Sequence, residues 1–431
     1  MSTSGRHVVD YPARLARMAW NRRLETGLTL ATAVARVALV PILGLGRADA
    51  LLALGAFALV AWPTSRTWLV DRYRAERRAR RWGKAFDAAG VDPAVQPRVV
   101  DEHPTPAGVV VDVALSPHLT ATDLDTIRER LAVAFDATSV RVRPDATRAG
   151  RAQLVVATRD PLAGAAIPWP WIGLRRADLW SGLPLGIDED DGLVVLDLAG
   201  HHVLLGGEPG AGKSNALSLV VGAAALDPTV ELWCFDGKLV ELAAWKRCCR
   251  RFVGPDLAEA VDVLRELRAE MESRFAEVLE RGIRKFDETS GVGMIVVVID
   301  ELALYLQGKS KERDELADLL RDVVARGRAA GIVVVAATQK PAADVVPTSI
   351  RDLFGVRLAL RCATRDASDT VLGVGWASRG YSASDVDPAL RGVGYLLAEG
   401  VLPRRMRCFI LDDDHLRHVA RQAEIGRGTA R

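Results

Sequence analysis

The segment from Gly207 to Ser214 has residue types and a spacing that are suited to binding phosphate. It reads Gly207-Glu208-Pro209-Gly210-Ala211-Gly212-Lys213-Ser214, and Asn215 follows it. The apolar run 203–206 precedes this segment, and the helix-like stretch 216–226 comes after it. A strand, a glycine-rich loop and a helix N-terminus in this order direct backbone N–H groups at phosphate oxygens. We therefore predict that residues 207–215 form a P-loop that binds ATP, with Lys213 reaching the β- and γ-phosphates and Ser214 binding Mg²⁺.

A second apolar run ends in two acidic residues. Residues 294–299 read Met-Ile-Val-Val-Val-Ile, and Asp300 and Glu301 follow them. Continuous β-branched residues are typical of a parallel strand buried on both faces, and ligands of open α/β sheets bind at the C-terminal ends of the strands. We expect Asp300 to hold Mg²⁺ and Glu301 to orient and polarise the attacking water. Taken alone, Glu301 is equally consistent with a helix N-cap.

Further apolar runs of strand length alternate with helix-like or loop stretches, at 230–235, 332–337, 356–360 and 394–398. This alternation predicts a doubly wound α/β domain with a mostly parallel sheet. Residues 257–279 place apolar side chains at helical spacing and are expected to pack on the core. Gln339 follows one of these runs, at the place expected for a sensor of the γ-phosphate, although spacing alone leaves that role open.

Two apolar runs lie near the N-terminus, at 27–45 and 50–62. Arginines precede and follow the pair, whereas the joining loop holds only Arg47 and Asp49. Cytoplasmic flanks of membrane helices collect positive charge, so the pattern predicts a transmembrane helical hairpin with both ends in the cytoplasm. Arg36 within the first run is costly in a bilayer and leaves a buried helical pair or an interfacial anchor as the alternative. The expected location is the cell membrane, as a multi-pass protein with its remaining domains in the cytoplasm.

The composition is that of an ordinary globular chain, with 49% apolar and 26% charged residues and a net charge of +2. This balance makes no case for a generally basic nucleic-acid-binding protein, so any DNA-binding surface must be local. The five cysteines lack the paired spacing of a zinc site and are interpreted as reduced thiols.

Strand and helix patterns alternate between residues 108 and 158 without a catalytic constellation, which predicts a small α/β domain. The proline-rich sequence 167–171 is interpreted as a linker, with Trp169 and Trp171 as packing residues. The predicted organisation is a membrane anchor, a small α/β domain, a P-loop domain and a short C-terminal tail, at 1–84, 85–185, 186–411 and 412–431.

Three longer stretches extend these patterns. They are GIDEDDGLVVLDLAGHHVLLGGEPGAGKSN at 186–215, IDE at 299–301 and ARGRAAGIVVVAATQKP at 325–341. With them, residues 186–411 resemble the motor domain of the FtsK/SpoIIIE family of DNA translocases, and residues 101–180 look like the α domain that precedes it. The resemblance implies a RecA-like P-loop NTPase fold and a homo-hexamer that encircles double-stranded DNA.

The resemblance also implies roles for single residues. It supports Gln339 as the γ-phosphate sensor and makes Arg357 the candidate for an arginine finger across the subunit interface, with Arg361 as the competing choice. Arg365 keeps the basic side chain that the family uses to contact DNA phosphates. Asp369 stands where the family has an arginine, a departure that bears on the strength of DNA binding at that position.

Together these features predict a membrane-anchored, ATP-driven translocase of double-stranded DNA. The two-span anchor and the Arg-rich, Lys-poor composition resemble transfer proteins of actinobacterial conjugative plasmids and integrative elements, which implies conjugative DNA transfer and other membrane transfer proteins as partners. Chromosome segregation at the division septum, an ATPase of a type VII protein secretion system and a non-enzymatic nucleotide-binding scaffold are the alternatives. About twenty residues follow Leu411, too few for a winged-helix domain, so sequence-directed polarity on DNA is not expected.

Overall fold

The computed structural model of the protein describes residues 23–46, 49–53, 80–342 and 345–428. The chain divides into two compact units, Met1–Asp160 and Pro161–Arg431. The second unit thus begins earlier in the sequence than the boundary predicted after residue 185.

The N-terminal part of the first unit is helical. Helix α1 spans Arg23–Leu43, and residues 49–53 are also helical. The Arg36 guanidinium and the Asp49 carboxylate form an ion pair, with Nε–Oδ1 at 3.0 Å and Nη2–Oδ2 at 3.1 Å. Within the described ranges, no helix is long and apolar enough to cross a membrane. The predicted transmembrane hairpin is therefore not confirmed, and most of its second run, 50–62, lies outside the described residues.

The remainder of the first unit is a small α/β fold. Its elements are α2 (80–88), β1 (Arg98–Thr105), β2 (Gly108–Ala114), α3 (Ala121–Thr126), α4 (Arg128–Ala134), β3 (Ser139–Pro144) and β4 (Arg151–Ala157). The strands form a four-stranded antiparallel sheet in the order β1-β2-β4-β3. Residues 122–135 have the pattern of one helix, but the structure divides them between α3 and α4 at Ile127, where ψ is 12°. Strand β1 escaped prediction because it lies at the sheet edge with mostly exposed side chains and lacks an apolar alternation.

The second unit carries the P-loop. Its elements are β5 (Leu183–Asp188), β6 (Leu193–Leu196), β7 (Val203–Gly206), α5 (Lys213–Leu226), β8 (Glu231–Phe235), β9 (Arg251–Val253), α6 (Leu257–Arg281), β10 (Ile295–Ile299), α7 (Leu302–Leu306), α8 (Lys311–Arg326), β11 (Ile332–Thr338), α9 (Thr348–Arg351), β12 (Val356–Leu360), α10 (Arg365–Leu372), β13 (Val393–Leu397), β14 (Arg404–Cys408) and α11 (Asp413–Gly428). The strand runs predicted for this part of the chain are all present.

One ten-stranded sheet runs through the second unit in the order β6-β5-β14-β13-β12-β7-β11-β10-β8-β9. The strands from β12 to β9 in this order are parallel, and the others pair antiparallel. Helices α5 and α11 pack on one face of the sheet, and α6 and α8 pack on the other. The predicted mostly parallel, doubly wound sheet is confirmed.

Helix α5 is buried on all sides from Ala216 to Leu226, between the sheet and α11. Such a position requires small residues where large rings pack on the helix. A Cβ at Gly222 would lie 3.2 Å from the Trp245 ring and 3.4 Å from the Trp169 ring. Trp169 is 1% exposed and its Nε1 donates to the Pro184 carbonyl at 2.9 Å. Trp169 is therefore a packing residue, as predicted, but its segment belongs to the core of the second unit and is not a linker.

The C-terminal residues also belong to this core. Helix α11 replaces the short tail expected at 412–431, since Val419, Ala420 and Ala423 are buried against the rest of the unit. Asp412 accepts a hydrogen bond from the His415 backbone N–H at 2.9 Å, in the position of an N-cap. At the other end, the Arg427 guanidinium donates to the carbonyls of Ala224, Ala225 and Asp227 at 2.7–2.9 Å. Arg427 thus satisfies backbone carbonyls at the C-terminal end of α5.

We expect Arg427→Ala to lower the free energy of unfolding by about 1–3 kcal/mol, because it leaves carbonyls at the end of α5 without a charged donor. Arg421→Ala is the matched control, since Arg421 is exposed on the same helix. Chemical unfolding of both variants measures the difference. Equal losses for the two variants would contradict a capping role for Arg427.

Candidate nucleotide site

The P-loop connects β7, which lies between β11 and β12 in the sheet, to the N-terminus of α5. Gly210 and Gly212 have φ values of 79° and 105°, a region that L side chains rarely adopt. A Cβ at position 212 would also lie 2.8 Å from the backbone nitrogen of Gly392. The backbone at both glycines therefore has the shape that phosphate binding at a helix N-terminus requires.

Lys213 and Asp300 form a buried ion pair. The Lys213 Nζ donates to Asp300 Oδ1 and to the Asp300 carbonyl oxygen, each at 2.8 Å. Lys213 is 4% exposed and Asp300 is 0% exposed. Within the described structure, Asp300 Oδ2 is buried without a hydrogen-bond partner. Asp300 binds Lys213, and Ser214 follows Lys213 in the chain. An unbonded carboxylate oxygen and a hydroxyl are oxygen donors of the kind that Mg²⁺ prefers, so the residues fit the predicted metal.

Glu301 follows Asp300 and is also buried. Its Oε1 accepts a hydrogen bond from the Thr338 hydroxyl at 2.9 Å, and its Oε2 accepts one from the Gln339 backbone N–H at 3.0 Å. Glu301 occupies the N-cap position of α7 but makes no side-chain capping bond. The alternative interpretation of this carboxylate as a helix cap is therefore wrong.

A cavity of about 500 Å³ opens at the P-loop. The predicted residues that line it are Glu208, Pro209, Gly210, Gly212, Lys213, Ser214, Asn215 and Gln339. Glu301 does not line it. Gln339 thus borders the same cavity as Lys213 and Ser214, the position that a phosphate sensor requires.

The opposite wall of the cavity was not predicted. It comes from two later segments, and its residues are Ala389, Arg391, Gly392, Arg407, Cys408, Phe409, Ile410, Leu411 and Asp412. The Asn215 amide holds this wall, since its Nδ2 donates to the Phe409 carbonyl at 2.7 Å and its Oδ1 accepts from the Leu411 N–H at 2.8 Å. No motif marks these segments in the sequence. Their role is visible only in the structure, where the residues after β14 lie beside the P-loop.

The two candidate finger arginines lie at different ends of β12. Arg361 follows the C-terminal end of the strand, and its guanidinium is 3.5 Å from Glu208 of the P-loop in the same chain. Arg357 lies near the N-terminal end, where its Nε donates to the Phe354 carbonyl at 2.9 Å. Burial lowers the pKa of the Arg357 guanidinium, and the nearby Asp352 carboxylate opposes this shift. Arg361 therefore contacts the P-loop of its own chain, whereas the contacts of Arg357 are at the other end of β12.

Arg365 is the first residue of α10 and is exposed. Asp369, on the same helix, accepts hydrogen bonds from the backbone N–H groups of Gly375 at 2.9 Å and Ala377 at 2.8 Å. The carboxylate that replaces the family's arginine thus orders the loop that follows α10.

Residues 175–294 match the FtsK/SpoIIIE family. The DNA translocase FtsK of Chlorobaculum tepidum is 29% identical over 223 residues, which cover 47% of this chain and 27% of that protein. The DNA translocase FtsK of Lactococcus lactis is 26% identical over 371 residues, which cover 78% of this chain and 45% of that protein. The resemblance to the FtsK/SpoIIIE family is confirmed. This chain spans less than half the length of these curated relatives.

Two solved structures share the fold of this chain. The pCW3 conjugation coupling protein TcpA, in its monomer form with ATPγS, has a TM-score of 0.52 at 19% identity and covers 78% of this chain and 96% of its own. ATPases 2 and 3 of EssC from Geobacillus thermodenitrificans have a TM-score of 0.51 at 14% identity and cover 62% of this chain and 52% of their own. At these identities the likeness establishes the P-loop α/β fold alone.

The buried Lys213–Asp300 pair makes a prediction about stability. Lys213→Met leaves the Asp300 carboxylate buried without its cation, so we expect the free energy of unfolding to fall by about 3–5 kcal/mol. Adding Asp300→Asn removes the uncompensated charge and should restore more than half of the loss. Thermal and chemical unfolding of the single and double variants measure this effect, and a double variant less stable than Lys213→Met would contradict it.

Proposed function

We propose that this chain is an ATP-driven motor that moves double-stranded DNA. The observation that supports the proposal most directly is the buried Lys213–Asp300 pair at the P-loop, with Asp300 Oδ2 left without a hydrogen bond in the described structure. A lysine for phosphates and an unbonded carboxylate oxygen for a metal are the groups that phosphoryl transfer requires at one place. DNA is proposed as the cargo because the relatives are named DNA translocases.

Each side chain of the site has its own proposed role in ATP hydrolysis. The P-loop N–H groups and Lys213 bind the phosphates of ATP, and Ser214 and Asp300 hold Mg²⁺. Mg²⁺, when bound, neutralises part of the phosphate charge. Glu301 accepts a hydrogen bond from the attacking water and orients it toward the γ-phosphate. Gln339 contacts the same phosphate with its amide.

Arg357 is proposed to act on the nucleotide of a neighbouring subunit in a homo-hexamer. Its strand position supports this role, because β12 runs parallel to β7 and pairs Arg357 with Leu204, before the strand reaches the P-loop. An arginine that neutralises transition-state charge from the next subunit makes hydrolysis depend on ring assembly. Arg361 lies against its own P-loop and fits a role within one subunit.

Arg365 is the proposed DNA contact on α10, as an exposed basic side chain at the start of that helix. Contacts to phosphates carry no base information, so binding should tolerate sequence and weaken steeply with salt. The small net charge of +2 is consistent with a local DNA-binding surface.

The proposed setting is conjugative DNA transfer at the cytoplasmic membrane, together with other membrane transfer proteins. The apolar runs 27–45 and 50–62 with their arginine flanks support the anchor, although the hairpin itself stays a prediction. The fold shared with the conjugation coupling protein TcpA supports the setting.

The first test is steady-state ATP hydrolysis by the full chain with and without long linear duplex DNA. We expect strong stimulation by duplex, weaker stimulation by single-stranded DNA, and loss of turnover in Glu301→Gln. Stimulation should fall as salt rises, because phosphate contacts release counterions. Glu301-dependent hydrolysis that is indifferent to DNA would overturn the DNA motor and favour a protein-secretion ATPase, and no hydrolysis would favour a scaffold.

Mixed rings test the arginine finger. We expect Arg357→Ala to lower DNA-stimulated turnover by about 10³–10⁵ while ATP still binds. In mixtures of Arg357→Ala with Glu301→Gln subunits, some sites combine an intact Arg357 with an intact Glu301 from different subunits, so activity should exceed the sum of the two variants. Mixtures of Arg361→Ala with Glu301→Gln are the control and should show no recovery. Strict additivity for Arg357→Ala would contradict a shared site.

A further inference from the structure

Thr338 lies next to Gln339, the predicted sensor, and makes contacts to Gly207 of the P-loop and to Glu301. It is the last residue of β11 and is 1% exposed. Its carbonyl accepts a hydrogen bond from the Gly207 N–H at 3.3 Å, and its hydroxyl lies 2.9 Å from Glu301 Oε1. The hydroxyl also accepts from the Lys340 N–H at 3.1 Å. With its acceptor side used in this way, the hydroxyl has its single proton available for Glu301.

The hydroxyl proton has one competing acceptor, the Lys340 carbonyl at 3.2 Å. The contact to Glu301 is shorter, and an ionised acceptor makes a stronger hydrogen bond than a neutral carbonyl. The Gln339 backbone N–H adds contacts to Oε1 at 3.2 Å and Oε2 at 3.0 Å. Glu301 is therefore held by the end of β11 through both of its oxygens.

These hydrogen bonds hold the Glu301 carboxylate on β11, outside the set of residues that line the cavity at the P-loop. Lys213, Ser214 and Gln339 line that cavity, whereas Glu301 does not. A carboxylate whose oxygens are engaged by Thr338 and Gln339 has less freedom to bind and orient an attacking water.

We propose that Thr338 is a positioning residue that latches Glu301 to β11 and restrains hydrolysis until the end of this strand moves. The proposal deepens the ATPase function proposed above and rests on it. Gln339 provides the route of release, because it lines the cavity and its backbone N–H also holds Glu301. A γ-phosphate that engages the Gln339 amide acts on the residue that grips the catalytic carboxylate.

Thr338→Val tests the latch, with Thr338→Ser as the variant that keeps the hydroxyl. In the full chain without DNA, Thr338→Val should raise the kcat for ATP hydrolysis about tenfold, since loss of a hydrogen bond worth about 1.4 kcal/mol changes a rate by that factor. The ratio of DNA-stimulated to unstimulated turnover should fall accordingly. Thr338→Ser should stay close to the wild type. Binding of a fluorescent ATP analogue should be the same in all three proteins, which shows that the site is folded.

A second readout does not depend on hydrolysis. Thr338→Val should lower the Tm more in the wild-type background than in the Glu301→Ala background. The Glu301→Ala protein has no carboxylate for the Thr338 hydroxyl to hold, so removal of the hydroxyl costs less there. Equal shifts in the two backgrounds would overturn the contact.

Other outcomes separate the two proposals. Wild-type hydrolysis with a Thr338→Val kcat that is unchanged or reduced would overturn the latch and leave the motor intact. The latch would also be overturned if Thr338→Ser and Thr338→Val behaved alike. Absence of any Glu301-dependent hydrolysis in the wild type would overturn the proposed ATPase, and the latch with it.

Discussion

Parallel strand direction positions most of the site, because neighbouring parallel strands end at the same edge of a sheet. In the register of the central strands, Ile299 pairs with Ala336, and Ala336 pairs with Leu204. Two residues further along, Glu301 comes level with Thr338, and Thr338 pairs with Gly206. The catalytic carboxylate, the residue that holds it and the start of the P-loop therefore meet although they are far apart in sequence.

Because the charged side chains of the site are buried, each of them must form ion pairs or hydrogen bonds. An ionised group inside a protein is costly unless it is paired and hydrogen-bonded. The site satisfies this condition with short contacts that a nucleotide and its metal can replace, since the Lys213 ammonium binds Asp300 and the Glu301 carboxylate binds N–H and O–H donors. Two carboxylates against one ammonium leave a net negative charge beside an unbonded Oδ2 of Asp300, which favours a cation at that point.

The central strands and the P-loop could be predicted because their sequence signals are local. Continuous β-branched runs mark β10 and β11, and the glycine spacing marks the loop between β7 and α5. The outer wall of the cavity could not be predicted in this way. This wall follows β14, whose sequence is Arg-Arg-Met-Arg-Cys. Only Met406 and Cys408 are apolar in it, which is a weak signal for a strand. The sequence predicts a tail in place of helix α11 because this helix buries few residues, chiefly small ones that pack closely on α5.

The position of Asp369 shows how one replacement changes local structure and binding surface together. An arginine has no acceptor atoms and could not receive the N–H groups of Gly375 and Ala377, as Asp369 does. In the loop that these bonds order, the Arg379 guanidinium lies 4.3 Å from the centre of the Trp376 ring, within cation–π distance. Asp369 thus orders a loop that presents an arginine on an aromatic face. A carboxylate at this one position therefore orders the loop and also lowers the positive charge of α10.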